Sequence, residues 1–201
     1  MNVSGRTVMT EQPTEQFIPA LVQRDAAVRK YAARLLGIKE ENGPSFLLGA
    51  LSSERERVRS AAALALGELG DVGAVPHLVG TLDDPDDATR TNGATSLGKL
   101  GDPQAVSALT RALADPSVSS RVATATALGA FDDPAAMPGL IKAVEDPDKA
   151  VRAAAAESLG NLGDARATGC LVDALDDANV EVRASVVDAL GKLGDREPCQ
   201  A

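Results

Sequence analysis

The dominant constraint on this chain is a register. The tract ALALGELGD (Ala63 to Asp71) returns as ATSLGKLGD (Ala94 to Asp102), ATALGAFDD (Ala125 to Asp133), AESLGNLGD (Ala156 to Asp164) and VDALGKLGD (Val187 to Asp195). The leucine of its Leu-Gly step falls at Leu66, Leu97, Leu128, Leu159 and Leu190, 31 residues apart each time. A weaker copy, ARLLGIKEE, places Leu36-Gly37 30 residues before the first of these. An arginine column runs in step at Arg29, Arg59, Arg90, Arg121, Arg152 and Arg183. A fixed period of this length marks a stack of supersecondary units, none of which can bury its apolar face alone.

Each period reads as two helices. In the copy from Ala74 to Asp102, Val75, Leu78, Val79 and Leu82 recur at i, i+3, i+4 and i+7, which is one helical face. Pro85 cannot continue that helix, and Asp86 or Asp87 can cap the next. The second helix is predicted from about Asp87 to Leu100, with Gly101 as its left-handed C-terminal cap. The predicted fold is therefore all-α: a right-handed α-solenoid of six two-helix repeats, at about 14–41, 42–71, 72–102, 103–133, 134–164 and 165–195. Residues 1–13 read as a disordered leader and 196–201 as a tail.

Composition narrows what such a stack can do. Aromatic residues are 2% of the chain and Trp is absent, so small and medium aliphatics must pack closely layered helices. A net charge of −9 argues against nucleic acid and against anionic membranes as partners. No apolar run is long enough to span a bilayer, and the N-terminus has no secretory h-region. Two isolated cysteines, Cys170 and Cys199, suit a reducing compartment, and a cytoplasmic location is expected.

With VRxxAAxxLGxLGD in the second helix, clearest at Val58 to Asp71, Val151 to Asp164 and Val182 to Asp195, the sequence resembles the short HEAT-like repeats of the phycobilisome-lyase type. HEAT families often carry an Asp in the mid-repeat turn and an Arg six residues on, and in them these residues form a ladder between neighbouring repeats. The matching positions here are Asp84/Arg90, Asp115/Arg121, Asp146/Arg152 and Asp177/Arg183. Gln23 and Ser53 occupy the Asp column in the first two units, so a weaker ladder is expected there. The resemblance implies binding rather than a particular chemistry.

The residues themselves offer little chemistry. His77 is the sole histidine and has no adjacent acid, which excludes the His-Glu pairs of metal hydroxylases with this fold. No zinc ligand set and no nucleophilic triad can be assembled, and no metal or cofactor is expected. The glycines of GELGDVG (Gly67 to Gly73) recur at repeat ends and read as helix caps. What varies is one stripe of the second helices, which in such solenoids line the concave face. Leu64, Thr91, Thr95, Lys99, Val122, Thr126, Glu157 and Asp188 are its candidate protein-binding residues. The expected function is a non-enzymatic scaffold or adaptor for another protein. The rival is a bilin lyase or chaperone-like subunit handling a tetrapyrrole on a partner. Self-association through the C-terminal end is a further expectation, because Val182, Val186, Val187 and Leu190 stand on the last second helix.

Overall fold

The computed structural model describes residues 43–194 apart from 132. The unit expected at 14–41, the leader and the tail lie outside the described residues. Ten α-helices follow one another in pairs: α1 (Gly43–Ala50) and α2 (Glu56–Leu69), α3 (Val75–Thr81) and α4 (Asp87–Leu100), α5 (Val106–Ala112) and α6 (Val118–Leu128), α7 (Met137–Ala143) and α8 (Lys149–Leu162), α9 (Thr168–Asp173) and α10 (Val180–Gly194). Among the described residues there is no strand, and the architecture is an all-α solenoid of two-helix units.

Capping chemistry sets the boundaries. Asp71, Asp102, Asp133 and Asp164 each accept the backbone N–H two residues on at 2.8–2.9 Å. Each thereby opens a 3₁₀ turn that leads into the first helix of a unit. Asp86 caps α4 by accepting from both Thr89 N (2.8 Å) and Thr89 Oγ1 (2.7 Å). Gly70, Gly101 and Gly163 end α2, α4 and α8 at φ of 75°, 65° and 69°, the left-handed conformation a Cβ would penalise. Unit 4 has Phe131-Asp132 where the others have Leu-Gly, and its second helix is a turn shorter, ending at Leu128. Phe131 turns inward instead and is buried.

The core is a double column of leucines. Leu47, Leu78, Leu109, Leu140 and Leu171 from the first helices, and Leu66, Leu97, Leu128 and Leu159 from the second, are all fully buried. Second helices pack flank to flank along the whole array, whereas first helices barely touch one another. The asymmetry has a steric cause. A Cβ on Gly67 would sit 2.8 Å from the Ser96 Cα, one on Gly98 2.8 Å from the Ala127 Cα, one on Gly129 2.8 Å from the Ser158 Cα, and one on Gly160 2.7 Å from the Ala189 Cα. Gly67 is therefore not a cap, as its recurrence suggests, but an interior residue of α2 whose missing side chain admits the next helix. The closer layer is therefore that of the second helices.

Within unit 3 the same economy of volume couples two residues. A Cβ on Gly93 would lie 2.0 Å from Thr81 Oγ1, a buried hydroxyl that donates to the Leu78 carbonyl. Unit 5 fills the equivalent space with Ala143 and Ala155. Gly93→Ala alone is expected to destabilise the fold by about 1–3 kcal/mol through overpacking, despite its better helix propensity. The double variant Thr81→Ala/Gly93→Ala, which copies the unit 5 pair, recovers that loss in denaturant melts. Additive effects of the two substitutions would contradict the coupling.

Candidate functional site

Two kinds of repeated side chain meet the neighbouring unit: a part-buried charged rung that fixes the mid-repeat turns and a variable stripe on the second helices. Arg59, Arg90, Arg121 and Arg152 each donate through Nε to the turn aspartate of the following unit, Asp84, Asp115, Asp146 and Asp177, at 2.6–2.8 Å. Nη2 donates to the other carboxylate oxygen at 2.8–3.0 Å, making the pair bidentate. Nη1 turns back to its own unit, where it donates to the main-chain oxygen of Ser53, Asp84, Asp115 and Asp146. Each carboxylate also accepts an N–H from its own turn: Asp86 on Asp84, Ser117 on Asp115, Asp148 on Asp146, and Asn179 on Asp177.

One expectation needs correcting. Ser53 does not exclude unit 2 from the ladder, because a rung joins the arginine of one unit to the aspartate of the next. Arg59 reaches forward to Asp84, and its own turn needs from Ser53 only a carbonyl, which every residue has. Gln23 and Arg29 lie outside the described residues. Nor does an arginine bond the carboxylate of its own unit; Arg90, for example, touches Asp84 only at the main chain.

Hydrogen bonding to Arg59 holds the Asp84 carboxyl below the ordinary 3.8 of an aspartate, against the upward push of burial. Arg152 acts in the same way on Asp177. At Asp115 burial pushes upward, and the bonds from Arg90 and from the Ser117 N–H outweigh it, so the pKa is again lowered. The four arginines are raised in turn, first by the hydrogen bond to the aspartate. These guanidiniums are committed to the fold and are not a row of anion sites.

The stripe is more internally bonded than its sequence suggests. Thr91 donates to the Asp87 carbonyl (2.8 Å) and lies 3.1 Å from the Ser120 hydroxyl of the next unit. Thr95 donates to the Thr91 carbonyl at 2.9 Å. Lys99 is ion-paired with Glu68 one unit back, Lys192 donates to Asn161 at 2.8 Å, and Lys149 pairs with Glu181 at 2.7 Å. Val122 and Leu64 are half-buried, while Lys99, Thr126, Glu157 and Asp188 are exposed. Leu64, Thr95, Thr126, Glu157 and Asp188 share one register position, so that column passes from half-buried and apolar to exposed and acidic along the array. Lys30 and Arg34, basic residues of the same stripe in the first unit, lie outside the described residues.

Sequence periodicity missed a second set of surfaces. Because the first helices diverge, clefts of about 350, 390 and 330 Å³ open between α3 and α5, α5 and α7, and α7 and α9. Rung residues line each of them: Arg90 and Asp115 in the first, Asp146 in the second, and Arg152 and Asp177 in the third. Their existence follows from the spacing of two layers, which no single-helix pattern records.

HEAT repeats match the chain over residues 14–96, 76–146 and 137–201. The chain belongs to the HEAT repeat family. Among solved structures, this HEAT array is similar to the complex of CpcE and CpcF of phycocyanin lyase from Nostoc sp. PCC7120, with 30% identity, 96% of this chain and 82% of that one covered, and a TM-score of 0.61. It is also similar in fold to YibA of Escherichia coli (23% identity, 88% and 69% covered, TM-score 0.68). A third likeness is to a designed armadillo repeat protein in complex with the peptide (KR)4 (20% identity, 90% and 99% covered, TM-score 0.60). No match emerges among curated protein sequences. Among the described residues of the HEAT array, no three His, Cys, Asp or Glu side chains are grouped to hold a metal, and no helix is long and apolar enough to cross a membrane.

The rungs make the HEAT array acid-sensitive in a definite direction. Carboxyls whose native pKa lies below 3.8 bind protons more readily when unfolded, so their contribution is intact above pH 4 and is lost as pH falls below it. Melts followed by circular dichroism are expected to give a flat Tm from pH 8 to 5 and a steep fall below 4. Asp115→Ala leaves the part-buried Arg90 guanidinium without its carboxylate and is expected to cost about 2 kcal/mol at neutral pH.

Proposed function

We propose that the chain is a non-enzymatic scaffold or adaptor that binds another protein along the concave surface of its second helices. The observation that carries this reading is the Leu64–Thr95–Thr126–Glu157–Asp188 column. At a fixed place in a repeat whose core columns hardly change, residue type and exposure shift in one direction. A partner segment that is apolar over Leu64 and basic over Glu157 and Asp188 is complementary to it. Glu157 and Asp188 bring uncancelled charge to that end, whereas Lys99 and Lys192 are already bonded within the array. Cys170 supports a binding role rather than a nucleophilic one. Burial raises its pKa, and its thiol donates to the Ala167 carbonyl at 3.1 Å. As a free thiol it also suits a cytoplasmic location.

A second reading rests on the likeness to the CpcE and CpcF complex: a bilin lyase or chaperone-like subunit that handles a tetrapyrrole on a partner protein. The described stripe offers that ligand no aromatic contact, since Phe131 is buried in the core. Incubation of the chain with apo-phycocyanin and its bilin separates the readings. The scaffold reading expects no gain in covalently bound pigment over a blank.

Affinity capture from lysate of the source organism tests the surface itself. Thr95→Arg/Thr126→Arg is expected to lose the partner retained by wild type and by a control change on the opposite layer, Gln104→Arg, with the helical circular dichroism of all three alike. A partner held equally by all three would sink the assignment to the second-helix face.

A further inference from the structure

The sixth unit repeats, on its outward side, the apparatus with which every described unit before it receives a neighbour. In units 2 to 5 the glycine after the core leucine has its missing Cβ filled by the next second helix. The sixth unit keeps that glycine, Gly191, and among the described residues nothing lies within 4 Å of where its Cβ would be. In units 2 to 5 the alanine three residues before that leucine (Ala63, Ala94, Ala125, Ala156) is fully buried against the next unit. Its counterpart is Val187, 57% exposed. Val172 and Leu175 on the same unit are 49% and 36% exposed, although Val144 and Leu82 at the position of Leu175 are buried. Arg183 completes the set. Its Nη1 donates to the main-chain oxygens of Asp177 (2.7 Å) and Ala178 (3.2 Å), the pose Arg152 adopts on Asp146 (2.9 Å) and Pro147 (3.2 Å). Arg152 spends Nε and Nη2 on Asp177, whereas Arg183 meets no carboxylate among the described residues.

We infer that this face is a joint for a second HEAT-repeat chain whose receiving unit carries an aspartate in its mid-repeat turn and an alanine or serine opposite Gly191. The internal joints supply the specification. Each pairs the arginine with the aspartate of the following unit, and each pairs the glycine with Ser96, Ala127, Ser158 or Ala189. Guanidinium preorganised by its own turn and exposed Val187, Val172 and Leu175 give charge complementarity and an apolar contact on one surface.

In sequence register, another copy of this chain stacked head to tail does not carry that specification. At the register positions that would meet the joint, its first unit has Gln23 in place of the aspartate and Leu35 in place of the small residue. Gln23 offers Arg183 no charge, and Leu35 is too large for a contact that elsewhere admits only Ala or Ser. Self-association through this end, expected from Val182, Val186, Val187 and Leu190, is the competing occupant; of these Val182 and Val186 are buried within the unit and Val187 is exposed.

Two measurements on whole chains test the inference. The first uses as probe this chain carrying Gln23→Asp and Leu35→Ala, which writes the specification into its own first unit. Wild type is expected to sediment as a monomer, and the variant to form head-to-tail oligomers. Adding Arg183→Glu is expected to weaken that association by roughly a hundredfold. Wild type that self-associates in an Arg183-dependent way overturns the choice of occupant, and a folded variant that stays monomeric overturns the joint. The second measurement decides if that variant does not fold. A copy of residues 134–164 is appended in register after Asp195, and Arg183→Ala is compared in the lengthened and original chains. A large drop in Tm in the lengthened chain, against little change in the original, supports the joint; equal effects overturn it.

Discussion

The close approach of consecutive second helices governs the rest of this molecule. At Gly67, Gly98, Gly129 and Gly160 one helix presents bare backbone, and the next presses a small residue against it. Any Cβ there would meet the Cα of the neighbour closer than van der Waals contact allows. Helices held so near bury area mainly through alanine, valine and leucine, which is how a chain with 2% aromatics maintains a continuous core. The tight inner layer also forces the outer helices apart, and the clefts between them follow. Ser96 and Ser158 show how far the contact tolerates polarity. Each sits in the tightest place and survives by donating to a carbonyl of the preceding unit, Ala63 and Ala125, at 2.8 Å.

The charged rungs answer a different problem. A mid-repeat turn has main-chain oxygens and N–H groups with no helical partner, and six such turns in a row would leave many of them half-solvated. One guanidinium and one carboxylate per joint satisfy several at once. The arginine closes the turn behind it and the aspartate organises the turn ahead. Buried pairs of this kind add little net stability over apolar packing, yet losing one partner is expensive. Their value here is register: a bidentate bond between units accepts only one relative position, whereas a leucine column alone would tolerate sliding.

Much of this was legible in the sequence because repetition turns single weak signals into columns. The helix from Asp87 to Leu100 and its Gly101 cap follow from spacing and from glycine chemistry, both of which act within a few residues. What the sequence concealed acts between units. Gly67 looks like a cap beside Gly70, and only the neighbour's Ser96 shows that it is a close contact. The rung runs from Arg59 to Asp84, 25 residues ahead, while the eye pairs Asp84 with Arg90 in the same copy. Likewise Lys99 reads as a free basic residue on a binding stripe until Glu68, 31 residues earlier, is placed beside it. The Thr81 and Gly93 exchange of volume is equally invisible along one helix.

Periodicity also explains where function can reside. The core and close-contact columns are fixed by packing, because a change there is felt at a joint: glycine and leucine recur, whereas rim columns such as Glu68/Lys99 vary even where they bridge units. Only columns that face solvent can drift. The one containing Leu64, Thr95, Thr126, Glu157 and Asp188 drifts in order, from apolar to acidic, with exposure rising in the same direction. The end of the stack obeys the opposite logic. There a joint column reaches solvent with Gly191 and Arg183 in place; their counterparts contact the following unit, and Arg183 closes its own turn as they do. Bare backbone at Gly191 beside the Arg183 guanidinium is the geometry that accepts a following unit at the internal joints.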